Sequence, residues 1–168
     1  LTERRLPAGP SGGDSHATLS IYYTSGTNRS DSRCSSHPEW AGLPCIQQPA
    51  AQPGTSGLPD LPTTYVESYN MYGRPLVTKS MPASGATALR TDTTTYDAGG
   101  RPTTQAESAA LGTAIPTVTT TYDTSTGLAL TTQTTTGGTQ TITRTYDALG
   151  RMTTYTDASA NTSTYTYD

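Results

Sequence analysis

Cys34 and Cys45 are the chain's only thiols, and His37 and Trp40 stand between them. Thiolates and an imidazole at this spacing could hold a metal, close a disulfide or stay free. A structural zinc site takes four ligands; two cysteines and His37 are one short, and recruiting His16 gives no zinc-finger spacing. A local disulfide fits better. Ten intervening residues that include Pro38 and Pro44 can fold back, and no third cysteine competes. In an oxidising compartment such a loop closure contributes roughly 2–3 kcal/mol. Free thiols and a metal site remain the alternatives. Trp40 then reads as the small core of that loop or as a docking residue against the neighbouring strands, ahead of an exposed sugar-stacking platform.

A second set of reactive types recurs in the other half. Tyrosine precedes aspartate at Tyr96-Asp97, Tyr122-Asp123, Tyr146-Asp147 and Tyr167-Asp168, with Tyr69-Asn70 as an upstream variant. Three of the pairs open a longer phrase that closes on Gly73-Arg74, Gly100-Arg101 and Gly150-Arg151. The phrase at Tyr122 keeps its glycine one residue late, at Gly127, and lacks the arginine. Tyrosine-to-tyrosine steps of 27, 26, 24 and 21 residues mark a repeat protein. These residues could form a ligand-reading ladder. The structural alternative explains them more simply: the ring packs between layers, Asp caps a turn and Gly supplies positive φ. Arg then covers a neighbouring ring or pairs with the Asp.

Other chemistry finds little support. The chain has no Gly-x-Ser-x-Gly elbow, no phosphate-binding glycine loop and no His-Glu-x-x-His. Neither histidine, His16 or His37, has a carboxylate partner implied by spacing. We expect no catalytic residue, no metal and no cofactor. A formal charge of −3 with scattered Lys and Arg provides no basic stripe for nucleic acid, and no apolar run is long enough to span a bilayer. Asn28-Arg29-Ser30 and Asn161-Thr162-Ser163 match the glycosylation sequon, a pattern too short to carry weight here.

The elements that would position these residues are strands. Leu, Ile, Val and Phe supply only 19 of 168 residues, whereas Thr supplies 37 and Tyr 11. Threonine and tyrosine suit a pleated, half-buried surface, so the chain is β-inclined yet poor in core formers. Such an array buries its faces by stacking repeat on repeat. Residues 1–20 read as polar loop, Ile21-Tyr22-Tyr23 as a short strand, and 34–62, with six prolines, as irregular. From Thr63 the pattern becomes strand, tight turn, strand. Thr141 to Tyr146 alternates with a two-residue period, Asp147-Ala148-Leu149-Gly150 has type I turn chemistry with a positive-φ glycine, and Arg151 to Thr156 returns. Asp157 to Asn161 makes the next turn. The division is therefore 1–62, irregular with the Cys34–Cys45 loop, and 63–168, a β-hairpin array.

The phrase Tyr-Asp-x-x-Gly-Arg, set in Thr/Tyr alternation and repeated every 20-odd residues, resembles the YD repeats of the RHS family. That family includes bacterial Rhs polymorphic toxins, C components of insecticidal toxin complexes, and teneurins. The resemblance covers about 63–168, and the segment Cys34 to Cys45 is similar to an inter-repeat insertion of actinobacterial members. It implies an all-β, antiparallel hairpin ribbon forming a section of a spiral shell, with no enzymatic role. It implies as partners the rest of the shell and an enclosed C-terminal effector, with a cell-surface adhesin binding glycan or protein as the alternative. It also implies a secreted or cell-surface location. The chain starts at Leu1, ends on a Tyr-Asp and lacks the Asp-Pro-x-Gly type cleavage motif; we read it as an internal section.

Overall fold

The computed structural model describes residues 2–4 (backbone alone), 17–52, 60–83, 87–135 and 138–168. The chain divides into two compact units. The first comprises Leu1–Asp92 with Ser108–Thr113, and the second Thr93–Glu107 with Ala114–Asp168. His16 and the Pro10-Ser11-Gly12-Gly13 stretch, read above as loop, lie outside the described residues.

In the first unit, β1 (Thr2–Arg4), β2 (Thr18–Tyr22), β3 (Pro44–Pro49), β4 (Thr63–Tyr69) and β5 (Pro75–Met81) pair antiparallel in chain order. β6 (Arg90–Tyr96) and β7 (Pro102–Ala109) are each divided between the units. The second unit continues the pattern with β8 (Val118–Tyr122), β9 (Ala129–Thr135), β10 (Thr139–Tyr146), β11 (Met152–Thr156) and β12 (Thr162–Thr164). Among the described residues the helical content is two single 3₁₀ turns, Ser32–Cys34 and Pro38–Trp40. The protein is an all-β antiparallel hairpin ribbon, as its Thr/Tyr alternation implies.

Two local expectations fail. Residues 1–20 hold β1 and the start of β2. The prolines of 34–62 do not exclude sheet either, since β3 runs through them. Pro44 and Pro49 stand at the two ends of β3, where a missing N–H costs least, and Cys45 to Gln48 supply the interior donors.

The strand ends share one device. The pairing shifts register immediately before Tyr22, Tyr69, Tyr122 and Tyr146, which then face Pro44, Pro75, Ala129 and Met152. The extra residue lies in the return strand, at Cys45, Leu76, Leu130 and Thr153, where it bends that strand and raises the local twist. A buried core occurs in the first unit: Ile21, Tyr23, Cys34, Cys45, Ile46 and Tyr69, flanked by Trp40, Leu43, Tyr65 and Val66. Among the described residues of the second unit no apolar side chain is fully buried.

Candidate functional site

The repeated phrase folds into one turn, built from its acidic residue outward. Asp147 N–H donates to Arg151 O at 2.9 Å, and Gly150 N–H donates back to Asp147 O at 3.0 Å. The Asp147 carboxylate accepts from the amides of Leu149 and Arg151, each at 2.9 Å, and from Arg151 Nε at 2.7 Å. Asp97 repeats this with Arg101, whose amide and Nε lie 2.9 and 2.7 Å from its two oxygens. Asn70 makes the neutral version, accepting from Tyr72 and Arg74 amides at 2.9 and 3.0 Å. Gly73, Gly100, Gly127 and Gly150 all have φ between 71° and 78°, the left-handed region the turn demands. The late glycine at Tyr122 is absorbed by one extra residue: Gly127 N–H still reaches Asp123 O, and Asp123 N–H closes on Leu128 O, both at 2.9 Å. Leu128 therefore occupies the arginine position.

These contacts set the acidities. The backbone amide of Arg101 first, then its guanidinium, hold Asp97 below the ordinary carboxylate range. The Arg151 amide and guanidinium do the same for Asp147, and the Thr126 amide and hydroxyl for Asp123. A carboxylate that accepts several donors is favoured in its charged form. All three are consumed as turn caps.

The tyrosines link repeats. Tyr122 Oη donates to Pro102 O at 2.9 Å, Tyr146 Oη to Ala129 O at 2.9 Å, and Tyr167 Oη to Met152 O at 2.7 Å. In the first unit Tyr69 Oη donates to Pro44 O at 2.6 Å. Each acceptor opens the return strand of the preceding repeat. The arginine position leans the same way, with Arg101 4.6 Å over the Tyr122 ring and Arg151 4.5 Å over Tyr167. Where leucine replaces arginine it packs on the next glycine: Leu43 Cδ1 lies 3.5 Å from where a Cβ at Gly73 would sit, and Leu128 Cδ1 3.5 Å from one at Gly150. The tyrosine, acid, glycine and arginine of the phrase are engaged inside the ribbon.

Three features escaped the sequence reading. The residue before the tyrosine is part of the device: Thr95, Thr121 and Thr145 exchange hydroxyl hydrogen bonds with Thr103, Thr131 and Thr153 at 2.9, 2.6 and 2.8 Å. A threonine directly ahead of each Tyr-Asp was the available signal. Second, the turn expected at Asp157 to Asn161, between β11 and β12, repeats the Tyr-Asp turn with Ala160 at φ 65° in the glycine position, a likeness hidden by the missing glycine. Third, Tyr22-Tyr23 and Gly42-Leu43-Pro44 are the two halves of a further phrase. Gly42 N–H donates to Tyr23 O and Tyr23 N–H to Leu43 O, both at 2.9 Å, and Gly42 has φ 87°. Residues 24–41 are an insertion inside that turn, and no spacing rule finds a phrase so divided.

The disulfide ties this insertion, through Cys34, to Cys45 of β3. Cys34 and Cys45 are joined by a disulfide, with both residues fully buried. Trp40 stacks on His37 at 4.6 Å and meets Tyr23 and Tyr69 edge-on at 5.2 and 6.0 Å, so it belongs to the core of the loop. His37 Nδ1 lies 2.9 Å from Glu39 Oε1. Burial, then the Tyr65 hydroxyl, hold the Tyr23 phenol well above its ordinary value. Among the described residues no three His, Cys, Asp or Glu side chains converge as a metal site, and no helix is long and apolar enough to cross a membrane. A cleft of about 380 Å³ lies between Arg33, Tyr65, Glu67, Lys79, Met81 and Ala88. Its charges are already paired, Arg33 with Asp31 at 2.8 Å and Lys79 with Glu67.

No family model matches the chain, and no curated protein matches it. Among solved structures it is similar to a chain in the crystal structure of TcdB2-TccC3-Cdc42, at a TM-score of 0.58 and 20% identity. The match covers 90% of this chain and 7% of that one. A likeness at this identity shows the fold, an antiparallel β ribbon, and nothing finer.

Proposed function

We propose that the chain is a non-catalytic structural section of an RHS/YD-repeat shell that encloses or presents a C-terminal effector polypeptide. One observation carries the reading. The tyrosine of one repeat donates its hydroxyl to the return strand of the repeat before, and the acid and glycine are spent on the turn. In this reading residues held this way extend a wall, and their groups are spent on its turns and seams. The likeness to a chain in the TcdB2-TccC3-Cdc42 complex supports the same reading, as does the Tyr-Asp phrase itself. In it, the partners are the rest of the shell and its guest, and the location is secreted or cell-surface.

The test uses the full-length gene product. A polypeptide C-terminal to the repeats should resist limited proteolysis there and be cut rapidly when expressed alone. Equal cleavage in both settings would remove the enclosing role. One observation favours the alternative, a surface module binding glycan or protein: the Arg33–Tyr65 cleft, where the guanidinium lies 5.2 Å over an aromatic ring. Specific retention on a glycan array, lost in Tyr65→Ala, would support it.

A further inference from the structure

The two hairpins of the first unit are barely joined by backbone. β3 and β4 pair at Ile46↔Tyr65 and Gln47↔Thr64, whereas β4 and β5 pair from Thr63↔Met81 to Tyr69↔Pro75. Toward the turn end the junction is held by side chains. Tyr69 Oη donates to Pro44 O and Tyr23 Oη to Val66 O, both at 2.6 Å. Trp40 meets the Tyr69 ring at 6.0 Å, and Leu43 covers Gly73.

Every one of these contacts starts from, or ends on, the segment 23–44, which the Cys34–Cys45 disulfide ties to β3. Its backbone is tied by Thr24 N–H to Cys34 O at 3.0 Å and by His37 N–H to Thr24 O at 2.9 Å. Residues 23–43 hold no regular strand or α-helix, so their shape rests on that cross-link and on the aromatic cluster. A cross-link of eleven residues' separation strongly restricts the open states of such a loop.

We propose that the Cys34–Cys45 insertion is a redox-sensitive clamp that locks the β2–β3 hairpin to the β4–β5 hairpin. A dithiol reductant opens it by two-electron exchange. One reductant thiolate attacks a protein sulfur to form a mixed disulfide, and the second thiolate resolves it. The products are the cyclic oxidised reductant and two protein thiols, which take up the two protons the dithiol gave up. Cys34 and Cys45 are both 0% exposed, so the attacking thiolate reaches sulfur only when the loop lifts. Trp40, which packs against that core, gates the step.

Hydrogen exchange on the full-length protein, with and without dithiothreitol, tests this. After reduction and alkylation of both cysteines, amides of 63–81 should exchange roughly tenfold to a hundredfold faster, while those of 139–156 keep their rates. Trp40 emission should shift to the red as the ring leaves Tyr23 and Tyr69. Unchanged exchange at 63–81 after complete alkylation would overturn the clamp, as would an equal rise at 139–156. Two variants keep the disulfide intact and separate the parts. Trp40→Ala should be reduced severalfold faster than wild type under native conditions. Tyr69→Phe should loosen 63–81 while oxidised without changing the reduction rate. Wild-type reduction kinetics in Trp40→Ala would sink the gate.

Discussion

The two units use one turn and two ways of holding repeats together. In the first, Ile21, Tyr23, Cys34, Cys45, Ile46 and Tyr69 form a buried cluster, crossed by a disulfide and four aromatic rings. In the second, the described residues bury no apolar side chain. The repeats are held by tyrosine hydroxyls on carbonyls, guanidinium groups over rings and threonine pairs across strands. The difference teaches that the Tyr-Asp phrase does not require a hydrophobic core. It extends the ribbon by directional contacts of modest individual strength, and a core appears where an insertion brings one.

That contrast can be broken most forcefully at Tyr23, which is 2% exposed and takes the place of the acid in its turn. Tyr23→Ala removes the centre of the aromatic cluster and leaves Val66 O without its hydroxyl donor. A truncation of a buried aromatic costs about 3–5 kcal/mol. Urea unfolding followed by hydrogen exchange should show this loss at 18–49 and 63–81, with 139–156 unmoved. A uniform loss along the chain would mean that the units share one cooperative core.

Gly150 probes the coreless unit. Its φ is 78°, so a β-branched side chain is strained by the backbone, while its Cβ would stand in ordinary contact with Leu128 Cδ1 at 3.5 Å. Gly150→Val should cost roughly 1–3 kcal/mol. Ala148→Val, at an exposed turn position, should change little. Because repeats contact neighbours, protection should fall across Thr141 to Thr156 first. Equal exchange profiles for the two variants would refute the turn assignment.

How far the residues announced this is uneven, and the reason is local. Turn, bulge and strand follow from short-range rules, so Asp147 to Gly150 and the alternation of Thr141 to Tyr146 were legible. The pairing of Cys34 with Cys45 was readable as the favoured of three options. The phrase split between Tyr23 and Gly42 was not, because 18 residues separate its halves and a tyrosine stands where the acid belongs. β3 was hidden by counting prolines without asking where in a strand they fall. The threonine pairs were hidden because 37 threonines make any three of them unremarkable.

Acid should separate the units again. Asp97, Asp123 and Asp147 have carboxyl groups held below their ordinary range by turn amides and donors. A depressed folded-state value contributes stability that is present above the unfolded value, near 3.9, and is lost as pH falls through the folded one. The matching turn residues of the first unit, Asn70 and Tyr23, do not titrate in that range; Asp31, paired with Arg33 inside the insertion, does. Amide exchange at 97–101, 123–128 and 147–151 should rise below about pH 4, after correction for intrinsic rates, while 70–74 stays protected. Asp97→Asn should flatten the response at 97–101.

The smallest effect expected is a gain. Ala160 holds φ 65° in a turn whose backbone donors repeat those at Asp97 and Asp147: Ala160 N–H to Asp157 O at 3.0 Å and Asn161 N–H to the Asp157 carboxylate at 2.9 Å. An L-residue pays a steric penalty in that region, and glycine does not. Glycine also widens the unfolded ensemble, which returns part of the benefit. The net change for Ala160→Gly should be a stabilisation of about 0.5–1 kcal/mol, confined to β11 and β12. Thermal unfolding would report it as a small rise in midpoint, and exchange would place it at 152–164. A lowered midpoint would mean that Ala160 is held by packing that outweighs its backbone strain. The analogy between this turn and the Tyr-Asp turns would then stop at their hydrogen bonds.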